Sequence, residues 1–527
     1  MMKWPWKASR YKVNRTRYSY IQPNLNNNLM RITQELGASP DVIIREFQIG
    51  QPVTRVAAIY TDGLVDKDLV SQFINRTLKI NSNETISEVP EPPGKMFDYI
   101  KENALMTDQL KVMRDWDEMI LSILSGDTAL LIDGWTQAII GGTKGGETRS
   151  ISEPTTQVVI RGPKDSFNES IATNISLIRR RIKSPNLWLD TMRVGRVTQT
   201  SVAIMYIKGI VNDDLVREIT QRIKGIEIDG VLESGYIEEF IQDQTFTPFP
   251  MLYNTERPDS VAGNLLSGKV AILVDGSPFV MIAPTLFVQF FQAPSDYYSR
   301  FDIATFLRLL RYISFLVSLT APSLYIAAIT FHQEMIPTTL LISLAASREG
   351  VPFPAFVEAL LMEASFEVLR EAGIRMPRAV GQAVSIVGAL VLGQAAVQAG
   401  IVSPAMVIIV AITGIASFST PSYDLAISAR MIRFVLMILS ASFGLYGITL
   451  GLIIMIAHLT SLRSFGIPYM APLAPFILAD QKDAIFRFPL WSFKSRPRLI
   501  SQKNITRTGN NQQPSPPNNR RNHRGLE

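Results

Sequence analysis

Residues 431–457 read MIRFVLMILSASFGLYGITLGLIIMIA, and residues 312–331 read YISFLVSLTAPSLYIAAITF. A run of ~20 mostly apolar residues is the length that crosses a hydrocarbon core of ~30 Å. Working outward, the whole stretch from Ile303 to Leu478 is a cluster of such apolar segments with few charges, whereas the chain up to Tyr298 has the mixed composition of a soluble protein. The fold class that follows is an α/β soluble N-terminal region of two duplicated small lobes, followed by an all-α polytopic membrane domain. The expected boundaries are a basic segment 1–23, lobe one 24–146, lobe two 147–298, a transmembrane helical domain 299–480, and a basic, largely disordered tail 481–527.

Clear spans are expected near 309–331, 379–399, 404–421 and 432–458. Two further elements are ambiguous. Phe353–Leu369 has helical period but carries Glu358, Glu363 and Glu367, and Ile467–Leu478 is short and holds Pro468, Pro472 and Pro475. Arginines and lysines cluster before the first span, before 379, after 421 and after 478, so six crossings with both ends inside satisfy the positive-inside rule best. Four spans with two interfacial or re-entrant pieces is the alternative. The N-terminus has charges but no apolar stretch behind them, unlike a signal peptide. Residues 1–300 and the tail are therefore expected on the cytoplasmic side.

The soluble half repeats itself. Val56–Val70 (VAAIYTDGLVDKDLV) matches Val202–Val216 (VAIMYIKGIVNDDLV), and Leu124–Thr143 (LSGDTALLIDGWTQAIIGGT) matches Leu266–Thr285 (LSGKVAILVDGSPFVMIAPT). Similar order and offset point to two copies of one unit, with cores near 24–146 and 165–288. Each copy predicts a strand (Thr54–Tyr60, Ser201–Ile207), a helix capped by Asp66 or Asn212, and a hairpin turning at Asp133-Gly134 or Asp275-Gly276. Helices near Asn24–Leu36 and Phe167–Lys183 open the copies. A cleft between the lobes is a ligand site on one reading, and an assembly surface on the other.

The formal charge of +6 is uneven. Residues 1–20 carry +6 and residues 481–527 carry +8, leaving the middle at −8. Basic ends on a membrane protein point to anionic lipid, and no aromatic–basic module points to nucleic acid. With no cysteine, and histidines only at 332, 458 and 523, neither disulfides nor a structural zinc site is expected. Gly263–Val270 nearly matches a phosphate-binding loop, but it lacks the magnesium-holding Ser/Thr and a strand follows it. Gly141–Gly146 reads as a mobile loop. No nucleophile elbow, catalytic acid pair, metal motif or cofactor motif is present, so an enzyme is not expected.

The segment 379–399 stands apart through its small and amide side chains. Gly381, Ser385, Gly388, Leu392 and Ala396 share one face, with Val384 beside them. Close helix packing through small residues is the first reading, and a pore-lining helix is the second. Glu363, Glu367 and Glu371 recur every four residues; they are read either as a cation vestibule or as interfacial acids paired to Arg370 and Arg375. Asp424, Arg430 and Arg433 are expected at a helix end, pairing locally or docking the soluble half.

Several stretches together resemble the A subunit of spore germinant receptors of the GerA type, over roughly residues 20–490. They are Arg161-Gly-Pro163 leading into Phe167, Glu169, Asn174, Arg179 and Arg181; Arg348–Pro354 leading into Glu358 and Glu363; Phe366–Pro377; Val387–Val397; and Pro421–Asp424. Arg161, Arg179 and Arg181 carry over as structural or docking residues. The resemblance implies a subunit of the spore inner membrane that works with a transporter-like B subunit and a lipoprotein C subunit, senses nutrients, and oligomerises into an ion-conducting element. It moves the weight on 379–399 toward the pore. A non-conducting scaffold, a part of the dipicolinate-release machinery, and a solute transporter are the competing classes; a transporter calls for related membrane repeats, and the repeats lie in the soluble half.

Overall fold

The computed structural model describes residues 20–49, 53–79, 110–145, 153–154, 157–377, 393–509 and 512–515. The chain divides into two compact units: one from residues 1–242, 252–284 and 490–527, the other from 243–251 and 285–489.

The first unit contains both repeats. The first copy runs α1 (Leu25–Glu35), β1 (Val42–Ile49), β2 (Thr54–Thr61), α2 (Lys67–Lys79), β3 (Leu110–Met113), α3 (Trp116–Ile123), β4 (Thr128–Ile132) and β5 (Ala138–Gly141). The second runs α4 (Ile171–Arg181), β6 (Leu187–Val194), β7 (Thr200–Ile207), α5 (Asp213–Lys224), α6 (Ser234–Ile241), β8 (Tyr253–Thr255), α7 (Pro258–Leu266), β9 (Val270–Val274) and β10 (Val280–Ala283). The sheets have the same antiparallel order, β1-β2-β4-β5-β3 and β6-β7-β9-β10-β8.

The duplication extends to single hydrogen bonds. Asp133 Oδ1 accepts from the Leu25 amide at 3.0 Å and Asp275 Oδ1 from the Ile171 amide at 3.2 Å, so each Asp-Gly turn also caps the opening helix of its own copy. The Gly134 and Gly276 amides donate to the Pro23 and Glu169 carbonyls, both at 2.8 Å. These glycines hold φ of +86° and +84°, the left-handed region that an Asp-Gly turn uses. Asp66 and Asn212 cap α2 and α5 through their side chains, as expected.

Both faces of the first sheet are covered. Ala57, Ile59, Ala129, Leu131 and Ile140 pack with Leu25, Ile32, Trp116 and Met119, while Val56, Ala58, Leu130, Ile132 and Ile139 pack with Val70 and Phe73. Burial on both faces explains why the central strands read as continuous apolar runs rather than alternating ones. The edge strands β1, β3, β6 and β8 are more polar, and the sequence reading passed over them.

Gly263 lies inside α7, and a turn at Gly268 leads directly into β9, so this segment is a helix-to-strand hairpin lead-in rather than a phosphate loop. The neighbouring Lys269 is 5% exposed, and burial pulls its amine from 10.5 down to about 7. Between those two values the unfolded chain holds a proton that the folded chain has shed, so stability rises with pH across this window. From pH 7 to 9 this one group adds about 2 kcal/mol, a gain that Lys269→Met lacks. All six tryptophans fall within this unit, so tryptophan-detected unfolding at the two pH values checks it.

Two expectations for this unit change. Gly141 and Thr143 are buried, and the Gly145 amide donates to the Leu64 carbonyl at 3.0 Å; Gly141–Gly145 is therefore packed chain, not a mobile loop. The start of the tail is also ordered. Ile500 is 1% exposed, Arg496 Nε donates to the Leu266 carbonyl at 2.8 Å, and Ser501 Oγ donates to the Ile210 carbonyl at 2.9 Å.

The second unit is helical: α8 (Phe301–Thr330), α9 (Thr338–Arg348), α10 (Ala355–Arg375), α11 (Pro404–Phe418) and α12 (Tyr423–Ser461). Ile326 of α8, Ala359 of α10, Met406 and Val410 of α11 and Met437 of α12 form its core. Among the described residues two helices, α8 and α12, are long and apolar enough to cross a membrane, with α11 a shorter apolar helix.

α12 is folded in two. A straight helix of its 39 residues would be about 58 Å long. Yet Ser428, near one end, donates to the Pro248 carbonyl, and His458, near the other, lies 2.9 Å from Thr247. The reversal is at Gly444, whose φ of +60° and ψ of −139° leave the helical region. Past it the arms press together: a Cβ at Gly447 would meet the Leu439 carbonyl oxygen at 2.2 Å, and one at Gly451 would meet Leu436 Cδ2 at 2.5 Å. Gly447-Ile-Thr-Leu-Gly451 is thus a G-x-x-x-G face packed on the preceding arm. The stretch read as one span near 432–458 is an antiparallel helical hairpin. The stretch 467–478 is no helix; Arg463–Ser464 pairs with Ile467–Pro468, and turns follow through Pro472 and Pro475. Proline lacks the amide that a helix interior needs, which accounts for that difference.

Candidate functional site

Charged side chains converge where α10, α11 and α12 meet. Glu363 and Glu367 come from α10, one turn apart, and Arg430 and Arg433 from α12. Arg433 Nη1 lies 3.0 Å from Glu363 Oε1 and 2.9 Å from Oε2, with both residues buried. Glu367 takes Arg430 Nη1 at 2.8 Å and Arg370 Nη1 at 3.3 Å. Arg370 also donates to Ser417 Oγ of α11 at 2.9 Å and lies 4.9 and 5.0 Å from the rings of Phe366 and Phe418.

This geometry joins residues that the sequence reading kept apart. Glu363 and Glu367, read as a cation vestibule, contact Arg430 and Arg433, read as docking residues. Within this chain both carboxylates pair with guanidiniums; Glu363 is buried and Glu367 is partly exposed. Glu371 differs: it is 59% exposed and pairs with Arg375 one turn on. Asp424 lies in the first turn of α12, where its carbonyl accepts from Ser428 Oγ at 2.9 Å.

Two further buried ionic groups escaped the sequence reading. Glu358, read only as a charge on an apolar helix, holds Arg348 at 2.9 Å and accepts from the Ser403 amide at 2.9 Å, which caps α11 from α10. At the start of α8, Arg308 is fully buried, 3.2 Å from Asp296 and 3.0 Å from Asp483. Arg311 joins Asp296 at 2.8 Å, and Tyr297 donates to Asp483 at 2.8 Å. The sequence signal was the Arg308–Arg311 pair at the head of a span, which the positive-inside rule had absorbed.

The arginines of the first unit separate by role. Arg179 is 1% exposed and grips Asp41 of the first copy through Nε at 2.7 Å and Nη2 at 2.9 Å. Its Nη1 donates to the Leu187 carbonyl at 2.7 Å. Arg181 pairs locally with Asp165, and Arg161 is exposed. Arg179 therefore binds the two repeats to each other. The same seam carries Trp188 Nε1 to the Glu35 carbonyl at 3.3 Å and the Leu189 amide to Ser39 Oγ at 3.2 Å. Residues of both copies fill this seam side by side.

Of the pore-lining candidates, Gly381, Val384, Ser385, Gly388 and Leu392 lie outside the described residues. Ala396 is half-buried in a helical turn, and its carbonyl accepts from the Ile401 amide at 2.9 Å, ending that helix before α11.

Residues 30–499 match the family described as Bacillus/Clostridium GerA spore germination protein. The chain is 55% identical over 497 residues to spore germination protein KA of Bacillus subtilis strain 168, covering 94% of this chain and 90% of that protein. It is 42% identical over 486 residues to spore germination protein GerLA of Bacillus cereus, covering 92% and 97%. The crystal structure of the N-terminal domain of the A subunit of the Bacillus megaterium spore germinant receptor GerK3 is 40% identical, covers 52% of this chain and 100% of its own, and superposes with a TM-score of 0.41. The chain belongs to the GerA spore germination protein family.

Proposed function

We propose that this chain is the membrane A subunit of a nutrient-sensing germinant receptor and forms its ion-conducting, ligand-gated element. The observation that carries the receptor role is the family match over residues 30–499, together with relatives at 55% and 42% identity that are named spore germination proteins. The conducting role rests on the small-residue face of 379–399. Its partners on this reading are a transporter-like B subunit, a lipoprotein C subunit, further copies of this chain, and anionic lipid at the basic termini. The site is the spore inner membrane, with the soluble unit and tail on the core side.

Six crossings fit this reading: α8, α10, the segment around 379–399, α11 and the two arms of α12. Three contacts support that alternation. Gly444, at the tip of the α12 hairpin, lies against His332 and Phe331 at the end of α8. Tyr325, late in α8, meets Ser403 at the start of α11, while Arg370, late in α10, meets Ser417 at its end. Glu363 and Glu367 are not assigned to cation capture, because arginines hold them; Glu371 keeps that candidacy.

Potassium release from spores carrying bulky replacements of Val384, Ser385 or Gly388 tests the proposal. At normal protein level, the expected result is leakage without nutrient or loss of nutrient-triggered release. Unchanged release returns 379–399 to helix packing and favours the scaffold.

A further inference from the structure

The cluster at α10, α11 and α12 does not balance its charge. Among the described residues, the three guanidiniums of Arg370, Arg430 and Arg433 make ion pairs with two carboxylates, Glu363 and Glu367, one positive charge more than the carboxylates they pair with.

Buried polar atoms are left over as well: one acceptor, Glu363 Oε2, and several donors. Arg433 is fully buried, yet its Nε and Nη2 have no hydrogen-bond acceptor among the described residues; Nη2 stands 3.7 Å from Glu367, beyond bonding length. Arg430 Nε and Arg370 Nε are also buried without an acceptor. A buried guanidinium without compensation is strongly unfavourable, and buried polar groups in folded proteins nearly always find partners. A planar fork of unused N–H groups from several arginines matches the oxygens of a carboxylate or phosphate.

We propose that this cluster is a binding site for one oxyanion, a phosphate or carboxylate group, held by Arg433 with Arg430 and Arg370. Glu363 and Glu367 hold the arginines in place and compete with the anion for them. Two sources share this chemistry: the phosphodiester of an anionic lipid headgroup, and a free small anion. Because the arginines sit on α12 and α10, with Ser417 of α11 hydrogen-bonded to Arg370, occupancy clamps three helices together. The assignment goes beyond the receptor role and does not require that the chain conduct ions.

The test uses the purified full chain in lipid nanodiscs. One arm measures binding of radiolabelled inorganic phosphate in discs of phosphatidylcholine alone. The other measures, by native mass spectrometry, enrichment of phosphatidylglycerol over phosphatidylcholine in mixed discs. Saturable binding in either arm is expected, and the arm that responds identifies the source. Arg433→Gln is expected to weaken it about tenfold or more, whereas Glu363→Gln, which frees a guanidinium, strengthens it several-fold. Arg433→Lys keeps the charge but loses the fork, and gives intermediate binding even if Arg433→Gln fails to fold. Opposite signs for Arg433 and Glu363 are what a purely structural ion pair cannot produce. Neither phosphate binding nor lipid enrichment in the wild type overturns the proposal, as does equal loss in Arg433→Gln and Glu363→Gln.

Discussion

Asp41→Ala is expected to destabilise the first unit by about 3–5 kcal/mol, because it leaves the Arg179 guanidinium buried without its carboxylate. The pair is bidentate, with residues 1% and 8% exposed, and it spans the seam between the two repeats. Trp188, which packs over Gly37, closes the seam; a Cβ at Gly37 would stand 2.2 Å from the indole. Tryptophan-detected unfolding reads the change as a fall in melting temperature on the order of 10 °C. The exposed pair Arg55–Glu46 is the control, with residues 39% and 48% exposed, and Glu46→Ala is expected to cost less than about 1 kcal/mol. Adding Arg179→Met to Asp41→Ala removes the orphaned charge and recovers much of the loss. A loss below 1 kcal/mol for Asp41→Ala alone would mean that the seam is not what holds the repeats together.

Gly444→Ala is expected to disrupt the helical unit, with a cost of about 1–3 kcal/mol from the backbone conformation alone. At φ +60° and ψ −139° an L side chain is strained whatever the space around it. Here there is little space, since a Cβ would approach His332 Cε1 at 2.7 Å and Phe331 Cβ at 3.0 Å. The alternative open to the chain is to straighten, which would separate Gly447 from Leu439 and Gly451 from Leu436. Trypsin accessibility and yield of the folded chain in detergent check this, with Gly466→Ala as the comparison. Gly466 also has positive φ, 78°, but no atom lies near its missing Cβ. Gly447→Leu is expected to fail in the same way as Gly444→Ala, by forcing the arms apart rather than by straining the turn.

The sequence made local features legible and left long-range pairings hidden. The strands at 54–61 and 200–207, the helices capped by Asp66 and Asn212, and the Asp-Gly turns all announced themselves, because each depends on residues within a few positions. The duplication was visible because it preserved apolar runs and turns in register. The edge strands were missed since their polar side chains carry no clean period. The α12 hairpin was missed because apolar content cannot distinguish one long helix from two arms. The available clue was the spacing of Gly444, Gly447 and Gly451. Arg179 with Asp41 is separated by 138 residues and Arg433 with Glu363 by 70, so only folding pairs them. Carboxylates repeating every four residues looked like an open acidic stripe until the opposing helix supplied its arginines.

Planar-bilayer recording of the purified full chain tests whether it conducts ions. Discrete cation currents are expected from the wild-type chain, abolished or locked by Gly388→Leu at equal incorporation. A chain that incorporates fully and passes no current under any condition, alone or with its receptor partners and nutrient, would contradict conduction and leave the A subunit as a scaffold.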